Sequence, residues 1–359
     1  MADGATDGVA VRLIDAGRLA PLQAQAIHHG VADAMALGHE PVVVLADPET
    51  PFVSIGAHQD VSREIDLRFC RHNDLPVLRR ATGGPALWLA PNNMMVHIMV
   101  PRARPESSGP VGPLYVRFVE PLLRTWQAFG IPVTRAIWGG VELARYRVGG
   151  LQIGFVGTTL MVGASLVTDF DPDTIARQAG LPSDVIRGRI GDVIREQLAQ
   201  AGQAPDRTAV KDALLAHLGS LLGWTLQDSA LRDDERAAVA RREAQMVQIR
   251  HLHAAGQRLA NADQRARDGL TVVNCAHRGT GGLAHLRLLE RAGVIEEIEI
   301  TGELLPLSSD GLDKLAARLV GLRRAAPDLA LRIQNGLNLA GLELPGLTAT
   351  EIAMILRSA

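Results

Sequence analysis

Three short runs of strand-like composition, 144–148, 151–156 and 159–166, are separated by Gly149-Gly150 and by a turn at Gly157. Each run is too short for a stable helix. Glycine between short apolar runs predicts strands joined by tight turns, so this part of the chain must form neighbouring antiparallel strands. Upstream, 41–46 reads as a buried strand with 52–55 as its hairpin partner across Asp47-Pro48-Glu49-Thr50. Further strands are expected at 76–78, 87–89 and 94–100, and helices at 20–37, 65–72 and 114–129, the last stopped by Gly130. After Asp169 the pattern is mainly helical to about Trp224. Residues 232–267, rich in Arg, Ala, Glu and Gln, predict a long polar connector helix with a solvated face. From Gly269 a hairpin (285–290 and 294–300, turned by Arg291-Ala292-Gly293) and helices at 309–323, 329–334 and 348–357 predict a compact module.

The expected fold is therefore α+β: a mixed, mainly antiparallel sheet with flanking helices, plus a small C-terminal α+β domain. The boundaries expected are 1–230, a connector at 231–268 and 269–359. A chain of 359 residues is long enough for two such domains. A net charge of −2 gives no footprint for nucleic acid, and no run of like charge points to a membrane surface. Cys70 and Cys275 form neither a disulfide framework nor a metal pattern. The first residues lack the basic-then-apolar signature of a secretory signal, which predicts a cytoplasmic protein.

One segment carries chemistry. Arg79-Arg80-Ala81-Thr82-Gly83-Gly84-Pro85 lies between the apolar runs 76–78 and 87–89. Paired glycines let main-chain N–H groups approach an anion, and arginine adds a charge that does not titrate away. A plain β-turn with two solvated arginines is the competing reading. His97 and the pair His28-His29 are candidate bases, but each stands alone in the sequence, and a core or surface role suits an isolated histidine better.

Four segments in order give these residues a context. They are 51–59, ending in Gly56-Ala57-His58-Gln59; the arginine–glycine segment 76–84; 148–154, with Gly150, Gln152 and Gly154; and 293–302. Together they resemble the lipoate–protein ligase A family over nearly the whole chain. The resemblance implies an acyl carboxylate, lipoyl or another acyl group, activated with ATP and Mg²⁺ as an acyl-adenylate. The acyl group then passes to an amine, on a lipoyl-type carrier protein or on a small molecule. It implies Gln59, Arg79, Arg80, Thr82, Gly83, Gly84, Asn93, Glu142, Gly150 and Gly154 as substrate- and nucleotide-binding residues, and Arg80 and Gln152 as catalytic ones. No metal ligands are assigned.

The departures are specific. The family's lysine falls on Gln152, and the chain has only two lysines, Lys211 and Lys314, neither in this region. A fixed cation near a phosphoryl oxygen is worth about 4 kcal/mol at 4 Å and intermediate dielectric, so its loss removes a large term. Pro85 replaces the loop's third glycine, which deletes a donor. Glu142 replaces the family's Asn-Asp pair, and an isolated carboxylate among arginines fits a salt bridge better than a metal site. A non-catalytic homologue that binds an acyl ligand or a carrier protein is the alternative expectation.

Overall fold

The fold was analysed in a computed structural model, which describes residues 8–358 apart from 92, 144–145, 168–191, 194, 197–205 and 266–268. An eight-stranded mixed sheet carries the larger part of the chain. Its order is β11-β1-β2-β6-β10-β9-β8-β7, with β1 Val9–Leu19, β2 Val42–Pro48, β6 Asn93–Pro101, β7 Thr134–Arg135, β8 Gly140–Leu143, β9 Tyr146–Val156, β10 Thr159–Val167 and β11 Trp224–Asp228. Strand β1 pairs in parallel with β2 and β11, and the remaining pairs are antiparallel.

Alternation along β6 divides the sheet's two faces. Met94, Val96, Ile98 and Val100 enter the main core, packed under α4 (Val111–Ala128) and α5 (Arg207–Leu222). Met95, His97 and Met99 point to the other face, which α1 (Pro21–Ala34) covers. Period-two alternation thus sends one histidine of an otherwise apolar strand to the side that carries the site.

Two expectations about turns are corrected. Segment 52–55 is a strand (β3, Phe52–Ile55) but not the hairpin partner of β2. It belongs to a separate three-stranded sheet, parallel to β4 (Val77–Arg79) and antiparallel to β5 (Leu87–Leu89). The second correction concerns Gly149-Gly150, which is no turn but the interior of β9. Gly149 yields to the Trp126 ring and Gly150 to Leu87, so these glycines make room for neighbours rather than reverse the chain. Of the expected strand at 144–148, residues 144 and 145 lie outside the described residues. So does most of the helical stretch expected after Asp169. Two strands not foreseen, β1 and β11, are polar at several positions and lie together at one edge of the sheet.

The helix expected at 65–72 forms over Leu67–His72 (α3), capped by Asp66, and a short helix not foreseen, α2 (Val61–Glu64), capped by Asp60, precedes it. The polar segment after residue 232 gives α6 (Asp233–Met246) and α7 (Ile249–Leu252). Helix α6 is not solvated all round: it packs along α1, where Gly30 leaves no space between the backbones at Val239. The module after residue 269 holds β12 (Thr271–Gly279), β13 (Gly282–Arg291) and β14 (Val294–Gly302) in one antiparallel sheet. Helices α9 (Gly311–Leu319), α10 (Leu329–Ala340) and α11 (Ala349–Ser358) pack on it around a separate apolar core; the short α8 (Ala262–Arg265) precedes it. The mixed α+β fold with a C-terminal α+β region is as the sequence predicts.

Candidate functional site

The arginine–glycine segment leaves β4 and folds back over the α1-covered face of the sheet. Both of its arginines are almost fully buried. Arg79 donates from Nη1 to the carbonyls of Gly56 (2.6 Å) and Ala57 (3.0 Å), and from Nη2 to Gln59 (2.8 Å). Its Nε and Nη2 reach the Leu252 carbonyl at 2.9 and 2.7 Å. This guanidinium ties the 56–59 turn to the end of α7. Arg80 donates to the carbonyls of Ser54 (2.7 Å), Gly83 (2.8 Å) and Pro85 (2.7 Å), so it clamps the loop that follows it.

The two cations differ in what surrounds them. Asp60 and Glu64 lie near Arg79 and partly offset its burial, which lowers it to about 10. Arg80 has no such offset: burial, then the like charge of Arg79, lowers it to about 9. It remains charged at neutral pH, with its charge spread onto carbonyl dipoles and, among the described residues, no carboxylate in contact. Burial of a cation without a counter-charge is costly, and such a cation is placed to stabilise an anion that comes beside it.

Gln59 and Thr82 shape the loop. Gln59 Oε1 accepts from the Gly56 amide (2.9 Å), while its Nε2 donates to Glu64. Burial pushes that carboxyl up to about 7, against the hydrogen bond from Gln59, which acts downward. Thr82 donates its hydroxyl to Gln152 Oε1 at 3.0 Å, which joins the loop to β9. Gly84 takes φ +90°, a conformation few L-residues adopt, and its amide is not used within the loop.

Beneath the loop the structure brings the adjacent pair His28-His29 together with the distant His97. His28 and His97 stack with centroids 3.4 Å apart and planes 7° from parallel, and His29 lies 4.2 Å from His28. His29 has a fixed tautomer. Its Nδ1 donates to the Gln25 carbonyl (2.9 Å), and its Nε2 accepts from the Ala81 amide (2.8 Å), so the ring is neutral and holds the loop. Burial lowers all three, and His97 reaches about 3. The strand register places His97, Gly163 and Gln152 in one row across β6, β10 and β9. A Cβ on Gly163 would lie 2.9 Å from the His97 ring and 3.2 Å from Gln152 Oε1, so the glycine here supplies room. The adjacency His28-His29 and the in-facing position of His97 on β6 were the available signals.

Not every expected residue joins this assembly. Gln59, Arg79, Arg80, Thr82, Gly83, Gly84 and Gln152 converge, and Gly154 borders Thr82. Gly150 packs against Leu87 and stands opposite Gly140. Asn93, the first residue of β6, is buried and accepts from the Ala90 amide of the preceding turn at 2.8 Å. Glu142 sits in β8 between Thr134 and Arg147, rows away from the loop.

A last element reaches the loop from the C-terminal module. The Leu304 carbonyl accepts from the Gly84 amide at 2.9 Å, and a Cβ on Gly83 would collide with the same oxygen. The sequence held no signal for this contact, because it joins residues 220 positions apart.

Comparison with known proteins places these features in a family. The model described as the lipoyl protein ligase A/B catalytic domain matches residues 20–219. A protein of Aeropyrum pernix described as "Putative lipoate-protein ligase A" is 26% identical over 125 residues, 35% of this chain; the match spans about half (46%) of that protein. The octanoyltransferase LipM of Kyrpidia tusciae is 24% identical over 253 residues, covering 63% of this chain and 92% of the relative. Among solved structures, P. falciparum LipL1 in complex with lipoate aligns over 97% of this chain and 98% of its own, with TM-score 0.64 and 10% identity. The bipartite lipoate protein ligase of Thermoplasma acidophilum aligns over 68% and 96%, with TM-score 0.57 and 14% identity. At such identities the structural likeness concerns the fold.

Proposed function

Because the chain belongs to the lipoyl protein ligase A/B catalytic-domain family, we propose that it is an acyl ligase or acyltransferase that seats an activated carboxylic acid on the Gly83–Gly84 loop and passes the acyl group to an amine. The observation that carries this reading is the loop itself. A fully buried Arg80, with no carboxylate among the described residues in contact, lies beside the Gly84 amide, which donates away from its own loop to the Leu304 carbonyl. A preorganised N–H backed by a buried cation stabilises negative charge that grows on a carbonyl or phosphoryl oxygen.

In the proposed transfer the amine nitrogen attacks the acyl carbon, and charge builds on the carbonyl oxygen held at Gly84. The C–N bond forms as the bond to the leaving group breaks, and the amine proton leaves with that group or to solvent. Thr82 and Gln152 are read as the neutral polar wall beside the reacting carbon, with Arg80 as the electrostatic support. Octanoyl and lipoyl groups are the acyl classes named for the relatives, and a lipoyl-type carrier domain, as in the T. acidophilum system, is the macromolecular acceptor class.

A related lipoate-protein ligase A is described with ATP bound. ATP suits the loop in one respect, since phosphate oxygens would find the Gly84 amide and the field of Arg80. It suits Gln152 less well, because that amide brings no charge where the resemblance implies a lysine. Bound there, ATP would supply the adenylate that activates the acid. Among the described residues no group of three His, Cys, Asp or Glu is placed to hold a metal ion, so no step is assigned to Mg²⁺.

A binding-only role has one specific observation in its favour: the neutral row His97–Gly163–Gln152 where a cation is implied. One assay separates the readings. Purified protein is given octanoyl-adenylate or octanoyl-pantetheine with hydroxylamine, and octanoyl hydroxamate is measured; ATP with octanoate is the third donor. The proposal predicts enzyme-dependent hydroxamate from at least one donor, lost in Arg80→Met. Saturable donor binding without turnover favours the binding role. Neither binding nor turnover overturns both.

A further inference from the structure

The segment that follows β14 does something the module's own packing does not require. Leu304 and Leu305 are both buried, yet adjacent side chains go opposite ways. Leu304 enters the apolar core of the C-terminal module. Leu305 turns to the glycine loop, where its Cδ2 would lie 3.1 Å from a Cβ placed on Gly84.

Main-chain bonds fix this segment along its length. The Gly302 amide donates to the His58 carbonyl (2.8 Å), the Gly84 amide to the Leu304 carbonyl (2.9 Å), and the Phe155 amide to the Leu307 carbonyl (2.7 Å). The strap 303–307 thus crosses the loop and joins β9 beyond Gln152. Its chemistry at the loop is a carbonyl oxygen on the Gly84 amide with an aliphatic side chain beside it, next to Thr82 and Gln152. That is the outline of an acyl group: one carbonyl acceptor and one apolar tail.

We propose that Leu304 and Leu305 are an intramolecular occupant of the acyl seat, and that the strap must leave the Gly84 amide before an aliphatic acyl ligand can bind. This inference rests on the acyl-transfer reading and extends it to how the site is opened. The ligand class follows from what the occupant imitates. It is a neutral acyl carbonyl with an aliphatic tail, joined to a leaving group that the field of Arg80 favours when anionic. A free carboxylate matches the occupant less well, since the strap presents one acceptor to one donor.

Competition gives a signature that an ordinary supporting contact lacks. Truncating a residue that merely supports a site weakens ligand binding. Truncating an internal competitor strengthens it, because the apparent dissociation constant is the intrinsic one divided by the open fraction. Removal of most of a buried leucine side chain shifts such an equilibrium on the order of tenfold or more.

The test uses the full chain and the non-hydrolysable probe 5′-O-(N-octanoylsulfamoyl)adenosine, with octanoyl-pantetheine as the second probe. Leu305→Ala is expected to tighten the calorimetric dissociation constant on the order of tenfold if the closed form dominates. Hydrogen exchange on the unliganded wild type gives an independent readout. The Gly84 and Phe155 amides should exchange together, faster than amides inside β6 and β10, and faster again in Leu305→Ala. Unchanged or weaker probe binding in Leu305→Ala overturns the proposal. So does exchange of Gly84 and Phe155 only through global unfolding. If the strap opens locally but neither probe binds wild type or variant, the acyl-transfer reading falls and the competition claim with it. Tight binding that ignores Leu305→Ala removes the competition claim alone.

Discussion

Arginines at two places, the β1–β11 edge of the large sheet and the glycine loop over its face, are treated in opposite ways. Near β1 and β11, Arg12 meets Glu235 in a two-point pair (2.5 and 3.0 Å), and Arg207 reaches Asp15 and Asp47 while Lys211 joins Asp15 at 2.8 Å. At the glycine loop, Arg80 is as deeply buried but spends its donors on carbonyls. The first arrangement closes its charge within the fold. The second leaves a net positive field, which gives structural arginines at one place and a reason for a ligand at the other.

That contrast breaks most sharply by mutation. Glu235→Ala removes the two-point partner of Arg12 and leaves, as its ion pair among the described residues, only the longer contact with the partly exposed Glu40 (3.8 Å), so about 3 kcal/mol is expected in urea unfolding, with most of it recovered in Arg12→Met/Glu235→Leu. Arg80→Met removes the cation itself and leaves three carbonyls without that donor, so about 2–3 kcal/mol is expected. No carboxylate substitution should rescue it. Equal rescue at both places would show that Arg80 has a hidden counter-charge.

Acid should separate the two places next. His28, His29 and His97 are held neutral by burial, so their folded values lie below the unfolded value of 6.5. The unfolded chain binds more protons there, and stability present above pH 6.5 is lost as pH falls toward the folded values. The slope reaches at most about 1.4 kcal/mol per pH unit for each histidine. At the paired edge burial raises Asp15, but hydrogen bonds from Arg207 and Lys211 outweigh it and hold the carboxyl at about 2. Its contribution fades only as pH falls from 3.8 to about 2. Residue-resolved hydrogen exchange at pH 5 should therefore show the loop loosened and the β1–β11 edge intact.

Smaller effects sharpen the picture. Gly163→Ala presses a methyl onto His97 and should cost about 1–3 kcal/mol, an effect that His97→Ala suppresses if the row is packed as described. Glu64 is raised to about 7, chiefly by burial. Stability from its protonated form is present below pH 4.5 and lost as pH rises through 7. Glu64→Gln should raise Tm at pH 8 and leave it nearly unchanged at pH 5; an equal effect at both would assign the gain to something other than charge.

Much of the architecture was legible because it depends on local pattern. Strand β10, helix α4 and the hairpin β13–β14 follow from a short run after Gly157, a helix stop at Gly130 and a Gly293 turn. The partner of β3 was not legible: a four-residue apolar run carries no mark of which strand it joins. Glycine misled at Gly149-Gly150, where a ring and a leucine press on an extended strand. At the site, the arginine–glycine segment stood out by composition. The histidine stack and the Leu304 contact did not, since both are made by residues that only the tertiary fold brings together.

The most direct measurement is a crystal structure of the full chain with 5′-O-(N-octanoylsulfamoyl)adenosine. The account predicts the acyl carbonyl on the Gly84 amide, the tail where Leu305 now lies, and the Leu304 carbonyl moved off the loop. A bound probe elsewhere, with the Gly84–Leu304 hydrogen bond intact, would contradict it.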